Sequence, residues 1–173
     1  MAFDLMDRTD MAGAQEYGAF GMNLEHPAHR AFYDYWHRIG PDYGLPSRQD
    51  VDPISIPQFL AWMLLLDVVS GESGDGGESG PRFRIRLMGT MVVDRSGADS
   101  TGRWLDEAVS ESQLKILAGE LSRAVSTKSP VRYVKHSIIE GREHVAIDTL
   151  ALPLAADGNN VDMLMLVSVE PTT

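Results

Sequence analysis

Two stretches of the sequence are apolar at every position, and they constrain the fold more than any other feature. The first covers residues 61–66, and the second covers residues 163–166 near the carboxyl end. A run of this length is either a central strand or a buried helical segment, and periodicity alone does not decide between them. As strands, both would be buried on two faces and would belong in the middle of a sheet.

Two further stretches, 82–89 and 131–141, place charged side chains among apolar ones, which is typical of strands at the edge of a sheet. Residues 144–155 and 161–170 complete the set, and the turn sequence at 157–160 joins them. Hairpin connections pair strand 1 with strand 2, strand 3 with strand 4, and strand 4 with strand 5. The sequence therefore predicts an α+β fold, with an antiparallel five-stranded sheet in the order 2-1-5-4-3 and helices on one face.

Two helices are predicted outside the strands. Between strands 2 and 3, an amphipathic helix follows Ser110, which forms a capping-box pattern with Gln113. Near the amino end, a shorter helix starting at Pro27 carries three large aromatic side chains in one stripe. These side chains are Phe32, Tyr35 and Trp36. We expect residues 1–26 to form a flexible tail and residues 27–173 to form a single domain.

Composition and charge exclude several classes of protein. The chain has 15 Lys+Arg against 25 Asp+Glu, a formal net charge of −10, which disfavours nucleic acid and anionic membrane surfaces as partners. There is no cysteine, so disulfides, thiolate catalysis and cysteinyl chromophore adducts are excluded. The longest apolar run, Phe59–Leu66, is far shorter than the roughly 20 residues of a membrane helix. We expect a cytoplasmic protein.

Several short segments, in this order and spacing, resemble the PAS domain family, in particular stand-alone bacterial PAS proteins. Besides the aromatic helix, they are PSRQDVDP at 46–53, RFRIRLMGT at 82–90, GADSTGRWLD at 97–106 and LPLAADGNNVDMLML at 152–166. The resemblance spans roughly residues 27–170 and implies the predicted sheet with a first helix outside the core. It also implies a sensory or interaction module, commonly a dimer, with a cleft between the sheet and helix 111–126. Because no kinase, cyclase or DNA-binding segment is attached, the signal would pass in trans to a separate signalling protein.

The cleft is the first candidate site, and it would bind a small molecule among apolar side chains. Its candidate residues are Leu87, Met91, Val92, Trp104, Leu117, Leu121, Tyr133, His136 and Ile138. Tyr133 and His136 would supply polar contacts, but strand alternation prevents both from pointing inward unless a bulge intervenes. The alternative is that these residues fill a core and bind no ligand, which would make the chain a protein-interaction adaptor.

The cofactor is unknown, and two PAS cofactor modes are disfavoured. Helix 111–126 holds no histidine to ligate haem, and a cysteinyl-flavin adduct has no cysteine. A non-covalent flavin remains open. His26 and His29 are three residues apart, but no carboxylate at ligand spacing other than Asp34 accompanies them, so surface histidines are favoured over a metal site.

Two surfaces and one group of side chains are further candidate sites. The stripe of Phe32, Tyr35 and Trp36 is the candidate homodimer interface. The basic ladder of Arg82, Arg84 and Arg86 either docks an acidic partner or protects an edge strand from aggregation. The alternative function is a small cone-shaped hydrolase- or isomerase-like enzyme using His136, His144 and Asp148, but no motif supports it. We expect no enzymatic activity.

Overall fold

The computed structural model describes residues 22–70, 80–136 and 145–171. The described residues form one antiparallel sheet of five strands in the order β2-β1-β5-β4-β3, which confirms the predicted fold class and strand order. The strands are β1 (Met63–Val69), β2 (Arg82–Met88), β3 (Val131–His136), β4 (Ala146–Leu154) and β5 (Met163–Val169). The helices are α1 (Pro27–Ile39), α2 (Pro57–Leu60), α3 (Thr90–Ser96), α4 (Leu105–Ala108) and α5 (Glu111–Thr127), with 3-10 turns at Arg48–Asp50 and Pro53–Ser55.

The two apolar stretches pair with each other at the centre of the sheet. In the β1–β5 ladder, Leu65 lies opposite Met165 and Leu66 lies opposite Leu164. All four side chains are buried, and they alternate between the two faces of the sheet. The central pair therefore needs a cover on both faces, because each face presents apolar side chains that water would otherwise contact.

Helices supply this cover from both sides. On the face that carries Leu66, the side chains of Leu117 and Leu121 from α5 pack against the sheet, and we call it the α5 face. On the opposite face, the α1 face, Phe32 and Tyr33 of α1 pack against β4 and β5. The expectation that helices lie on one face, with the first helix outside the core, is therefore wrong in this detail, since Phe32 is fully buried.

The predicted tail, residues 1–26, lies mostly outside the described residues. Its last part belongs to the domain, because Leu24 is buried in the α1-face core. In addition, the Arg30 guanidinium donates a hydrogen bond to the carbonyl of Leu24 at 2.9 Å. Packing of the domain thus begins a few residues before Pro27.

The register between β1 and β2 contains one irregularity. Leu65 lies opposite Leu87, whereas Leu66 lies opposite Ile85, so Arg86 is an extra residue in β2. A bulge of this kind reverses the alternation of the strand beyond it. Leu87 consequently shares the α1 face with Leu65, although the sequence pattern groups it with Phe83 and Ile85.

The two edge strands, β2 and β3, differ in how their outer parts are paired. The outer edge of β2 is partly paired, because the amide of Ile85 donates to the carbonyl of Arg103 at 2.9 Å. At the other edge, β3 pairs with β4 only as far as Val131 opposite Ala151. Pro153 lies beyond that point, so its missing N–H removes no hydrogen bond between β3 and β4.

Gly89 provides a test of the packing where β2 leads into α3. A Cβ atom at this position would overlap the carbonyl oxygens of Leu60 and Ala61. We expect Gly89→Ala to lower the free energy of unfolding by about 2 kcal/mol, measured by urea denaturation. Gly119 is the matched control, since a Cβ there meets open space within α5, and Gly119→Ala should raise stability slightly. Equal effects of the two substitutions would contradict the close approach at Gly89.

Candidate functional site

The α5 face is covered unevenly along the strands. Leu66 is fully buried beneath α5, but Leu64, two residues earlier on the same face of the same central strand, is only half-buried. Helix α3, which follows β2 at this end of the sheet, buries none of its side chains completely. We call this region, where β1 begins and β5 ends, the open end of the α5 face. The side chains that share it are Leu64, Met88, Tyr133, Lys135, Thr149 and Ser168.

Three hydroxyl groups cross the open end in a row. Tyr133 of β3 lies opposite Thr149 of β4, which in turn lies opposite Ser168 of β5. The hydroxyl oxygens of Thr149 and Ser168 are 2.9 Å apart, and Tyr133 is the cross-strand neighbour of Thr149. Burial raises the pKa of Tyr133, so the phenol stays protonated and retains a hydrogen to donate.

Two cations approach the same end. Lys135 is two residues beyond Tyr133, so it points to the same face, and burial lowers its pKa, with the charge of Arg95 adding to the effect. Arg95 extends from α3 and lies over the ring of Trp62, with 5.1 Å between the guanidinium carbon and the ring centre. Among the described residues, no carboxylate lies within ion-pair distance of Lys135, and Arg95 has only the exposed Glu170 at 3.8 Å.

A second polar group lies on the α1 face, beneath α1. Asp148 of β4 is buried, and Arg132 of β3 donates to both of its carboxylate oxygens at 2.9 Å and 2.7 Å. His29 of α1 is fully buried, with Nδ1 3.8 Å from Asp148 Oδ1. Its Nε2 lies 3.3 Å from the carbonyl of Val167 in β5. The group ties α1 to three neighbouring strands.

The protonation state of His29 follows from these contacts. Burial lowers the pKa of His29 to about 4, against the opposing effect of the Asp148 charge, so the ring is neutral near pH 7. A carbonyl only accepts hydrogen bonds, so the single ring hydrogen lies on Nε2 and points at Val167. Nδ1 then has a lone pair with no hydrogen-bond partner among the described residues.

The two polar groups are separated by a single layer of backbone. Arg132 and Tyr133 are adjacent residues of β3, and Asp148 and Thr149 are adjacent residues of β4. Likewise, Val167 accepts from His29 on the α1 face and is followed by Ser168 on the α5 face. Each of the three strands thus contributes neighbouring residues to both groups.

The structure brings together some of the predicted cleft residues and not others. Leu117, Leu121 and Tyr133 meet in one buried cluster on the α5 face. Val92 is half-buried on α3, and Met91 beside it is exposed. Ile138 and His144 lie outside the described residues.

Three residues that were predicted to line the cleft lie elsewhere in the structure. Leu87 is on the α1 face and 40% exposed, because of the bulge at Arg86. Trp104 lies at the outer edge of β2, beneath the guanidinium of Arg82 at 4.1 Å. His136 is exposed on the α1 face, since the β3–β4 register is regular and reverses its direction relative to Tyr133.

The proposed dimer interface also requires correction. Phe32, Tyr35 and Trp36 are buried within the chain itself, at 0%, 3% and 6% exposure. The indole N–H of Trp36 donates to the carbonyl of Pro153 at 2.8 Å, and the amide of Asp52 donates to the hydroxyl of Tyr35 at 2.8 Å. These side chains cover the chain's own sheet and are not available to a second copy.

The basic ladder has partners inside the chain. Arg82 pairs with Asp106 at 2.7 Å, and Arg86 lies 3.4 Å from Asp67. Arg84 donates to the carbonyl of Gly102 at 3.1 Å. These contacts favour the edge-strand interpretation over a docking face.

The histidines of α1 have structural positions. His26 is the N-cap of α1, since its Nδ1 accepts a hydrogen bond from the amide of Ala28 at 3.1 Å. Its ring centre is 5.7 Å from that of His29. Within residues 22–70, 80–136 and 145–171, no three histidine, aspartate or glutamate side chains are grouped to hold a metal ion.

Sequence reasoning missed the polar row and the cations of the open end. On the α5 face, β4 and β5 are apolar except for Thr149 and Ser168. These two polar residues in otherwise apolar strands could have been noticed in the sequence as candidate site residues. Lys135 shares the strand phase of Tyr133, which also was readable. The approach of Arg95 was not, because it depends on where α3 lies relative to the sheet.

Comparison with known proteins decides the family. A sequence model of the family described as "PAS domain" matches residues 24–167. The chain belongs to the PAS domain family. This PAS domain matches no curated protein sequence.

Two solved structures are similar to this PAS domain at low sequence identity. A domain of an HTR-like protein from Haloarcula marismortui ATCC 43049 is 14% identical, with 63% of this chain and 98% of that chain covered and a TM-score of 0.43. A sensory box sensor histidine kinase from Vibrio cholerae is 12% identical, with 87% and 100% covered and a TM-score of 0.44. Both TM-scores are low, and neither likeness bears on function. Separately, none of the helices in the described part of the chain has the length and apolarity to span a membrane.

The buried pair of Asp148 and Arg132 gives a stability test of the α1 face. We expect Asp148→Ala to lower the free energy of unfolding by about 3 kcal/mol, because the hydrogen bonds of Arg132 to a buried carboxylate are lost. Asp106→Ala is the matched control, since it removes the carboxylate of the exposed pair with Arg82 and should cost much less. Urea denaturation of both variants measures the difference. Similar losses would show that the α1-face pair is no more important than a surface pair.

The low pKa of His29 predicts a pH dependence of stability. The unfolded chain protonates this ring near its ordinary pKa of 6.5, whereas the folded protein does so only near 4. Between these values the unfolded state binds more protons, so stability is full above pH 6.5 and falls as the pH is lowered towards 4, by roughly 3 kcal/mol. His29→Gln should flatten this part of the profile in urea denaturations at several pH values. His37→Gln, on the exposed side of α1, is the control, and a flattening equal to that of His29→Gln would contradict the assignment.

Proposed function

We propose that this PAS domain is a sensory module that binds a small molecule at the open end and transmits the event through the sheet to α1. Membership of the PAS family supports a sensory or signalling role. One observation carries the proposal. On each of β3, β4 and β5, two consecutive residues point to opposite faces, one towards the open end and the other towards α1. From α1, the signal would pass in trans to a separate partner protein.

The contacts on the α1 face make such a relay physically reasonable. Arg132 holds Asp148 in a bidentate geometry, which weakens steeply when either strand shifts. His29 of α1 depends on the position of the Val167 carbonyl, and Arg132 also donates to the carbonyl of Asn23, just ahead of α1, at 3.0 Å. A ligand that repositions Thr149 or Ser168 therefore acts one peptide unit away from groups that fix α1.

A ligand-free adaptor is the second candidate, and one observation favours it. Leu117, Leu121 and Tyr133 are buried in a continuous cluster, so the middle of the α5 face is filled by the protein itself. We therefore place the ligand of the sensory proposal at the open end, where Leu64, Met88 and Val92 are half-buried.

We propose that the module is not an enzyme. The alternative needs His136 and Asp148 to act together, but His136 is exposed while both oxygens of Asp148 are bound by Arg132. No hydrogen bond joins these two described residues, as a general acid–base pair would require.

A homodimer stays part of the proposal, through a surface other than the aromatic stripe. The cytoplasmic location and bacterial origin stay predictions from the sequence. Native mass spectrometry of the full chain would give the oligomeric state directly.

The sensory proposal predicts that ligand binding on the α5 face changes the environment of backbone amides on the α1 face. We would screen a small-molecule fragment library against the full chain by amide NMR. We expect fragments that shift the amides of Tyr133, Thr149 and Ser168 to shift those of α1 as well, although α1 lies across the sheet. Arg132→Gln should reduce the shifts in α1 and preserve those at the open end, because it breaks the link to Asp148.

Arg82→Gln makes the same substitution in an exposed pair and should leave both sets of shifts unchanged. Fragments that shift the open end alone would refute the relay. If no fragment shifts the open end, the ligand-free adaptor is the better description.

A further inference from the structure

Among the described residues, the cations of the open end have weaker acidic partners than three of the four arginines on the strands. Arg82, Arg86 and Arg132 each pair with a carboxylate at 3.4 Å or less. Lys135 has none among the described residues, and Arg95 has Glu170 at 3.8 Å, whose side chain is 70% exposed. Other cations without an acidic partner, such as Arg84 and Lys115, are exposed to water, whereas Lys135 and Arg95 are half-buried.

Keeping these cations half-buried has a physical cost. Burial lowers the pKa of Lys135 and of Arg95, since removing water disfavours the charged form. An uncompensated charge near the interior is stabilised by an opposite charge brought to it. The half-buried hydroxyl of Ser168, which is hydrogen-bonded to Thr149, adds a donor for the same kind of group.

We propose that the open end selects an organic acid, whose carboxylate pairs with Lys135 and Arg95 while its apolar body lies against Leu64 and Met88. This rests on the proposed function, because it names the ligand class of the same site. Lys135 and Arg95 contribute two positive charges and Glu170 one negative charge, which leaves a net positive charge of one. A monoanion balances that charge, whereas a dianionic phosphate exceeds it. The half-buried Leu64 and Met88 match an apolar body and not a sugar or a polar peptide.

The test compares two unbranched six-carbon probes, one ending in a carboxylate and the other in a neutral hydroxyl. Hexanoate and 1-hexanol are each titrated into the full chain while amide NMR follows the open end. We expect hexanoate to bind about tenfold more tightly than 1-hexanol, since a charge-assisted contact is worth about that factor. Lys135→Met and Arg95→Gln should each weaken hexanoate about tenfold and leave 1-hexanol unchanged.

Lys115→Met is the matched control, because Lys115 is exposed on α5 and the same charge is removed away from the site. It should leave hexanoate binding unchanged, which separates a local ion pair from the general field of the protein. The dispersion of the unbound amide spectrum shows whether each variant is folded, and Lys135→Gln provides a second removal of the charge.

The outcomes separate this inference from the proposed function. If 1-hexanol binds as tightly as hexanoate and the variants change neither, the open end binds small molecules but does not select an acid. If hexanoate binds and Lys115→Met weakens it as much as Lys135→Met, the selection is due to net charge and the site assignment is wrong. If neither probe shifts the open end up to its solubility limit, the inference is refuted, and the fragment screen decides the sensory function independently.

Discussion

The pairing of β1 with β5 is the interaction on which the rest of the structure depends. It places apolar side chains such as Leu66 and Met165 on opposite faces of the same two strands, so neither face can be left to water. One helix, α5, covers one side and another, α1, covers the other. The sheet is thereby enclosed between two helices, and a change on one face is separated from the other by one layer of backbone.

Much of this fold was predictable because it follows from side-chain alternation. The strand order was readable from which strands are apolar on both faces and which carry charges. The bulge at Arg86 was not readable, since an extra residue in one strand leaves the local apolar pattern intact and reverses it only relative to the partner. The placement of α1 was also open, because an aromatic stripe records that Phe32 and Trp36 are buried but not which surface buries them.

The candidate site was harder to predict than the fold, for a related reason. Strand phase predicts that Tyr133 and His136 point to opposite faces, but it does not record which of the two faces α5. Asp148 was noticed only as a potential catalytic group, because its partner Arg132 lies on another strand and is brought to it by register. The exposure of Leu64 depends on how far α5 extends over the sheet, which is a tertiary property that the sequence pattern does not record.

The use of a buried ion pair beneath α1 has an energetic explanation. Apolar contacts of Phe32 with the sheet are non-directional, so they hold α1 on its face without specifying one position. The bidentate contact of Arg132 with Asp148 is directional. Apolar side chains in place of a buried ion pair often give equal or greater stability, so stability alone does not explain why the pair is present. The pair fixes β3 relative to β4, and Arg132 also donates to the carbonyl of Asn23 at 3.0 Å, in the segment that leads into α1. A helix positioned by a few directional contacts moves to a different position when those contacts break. A relay through the sheet requires two such distinct positions.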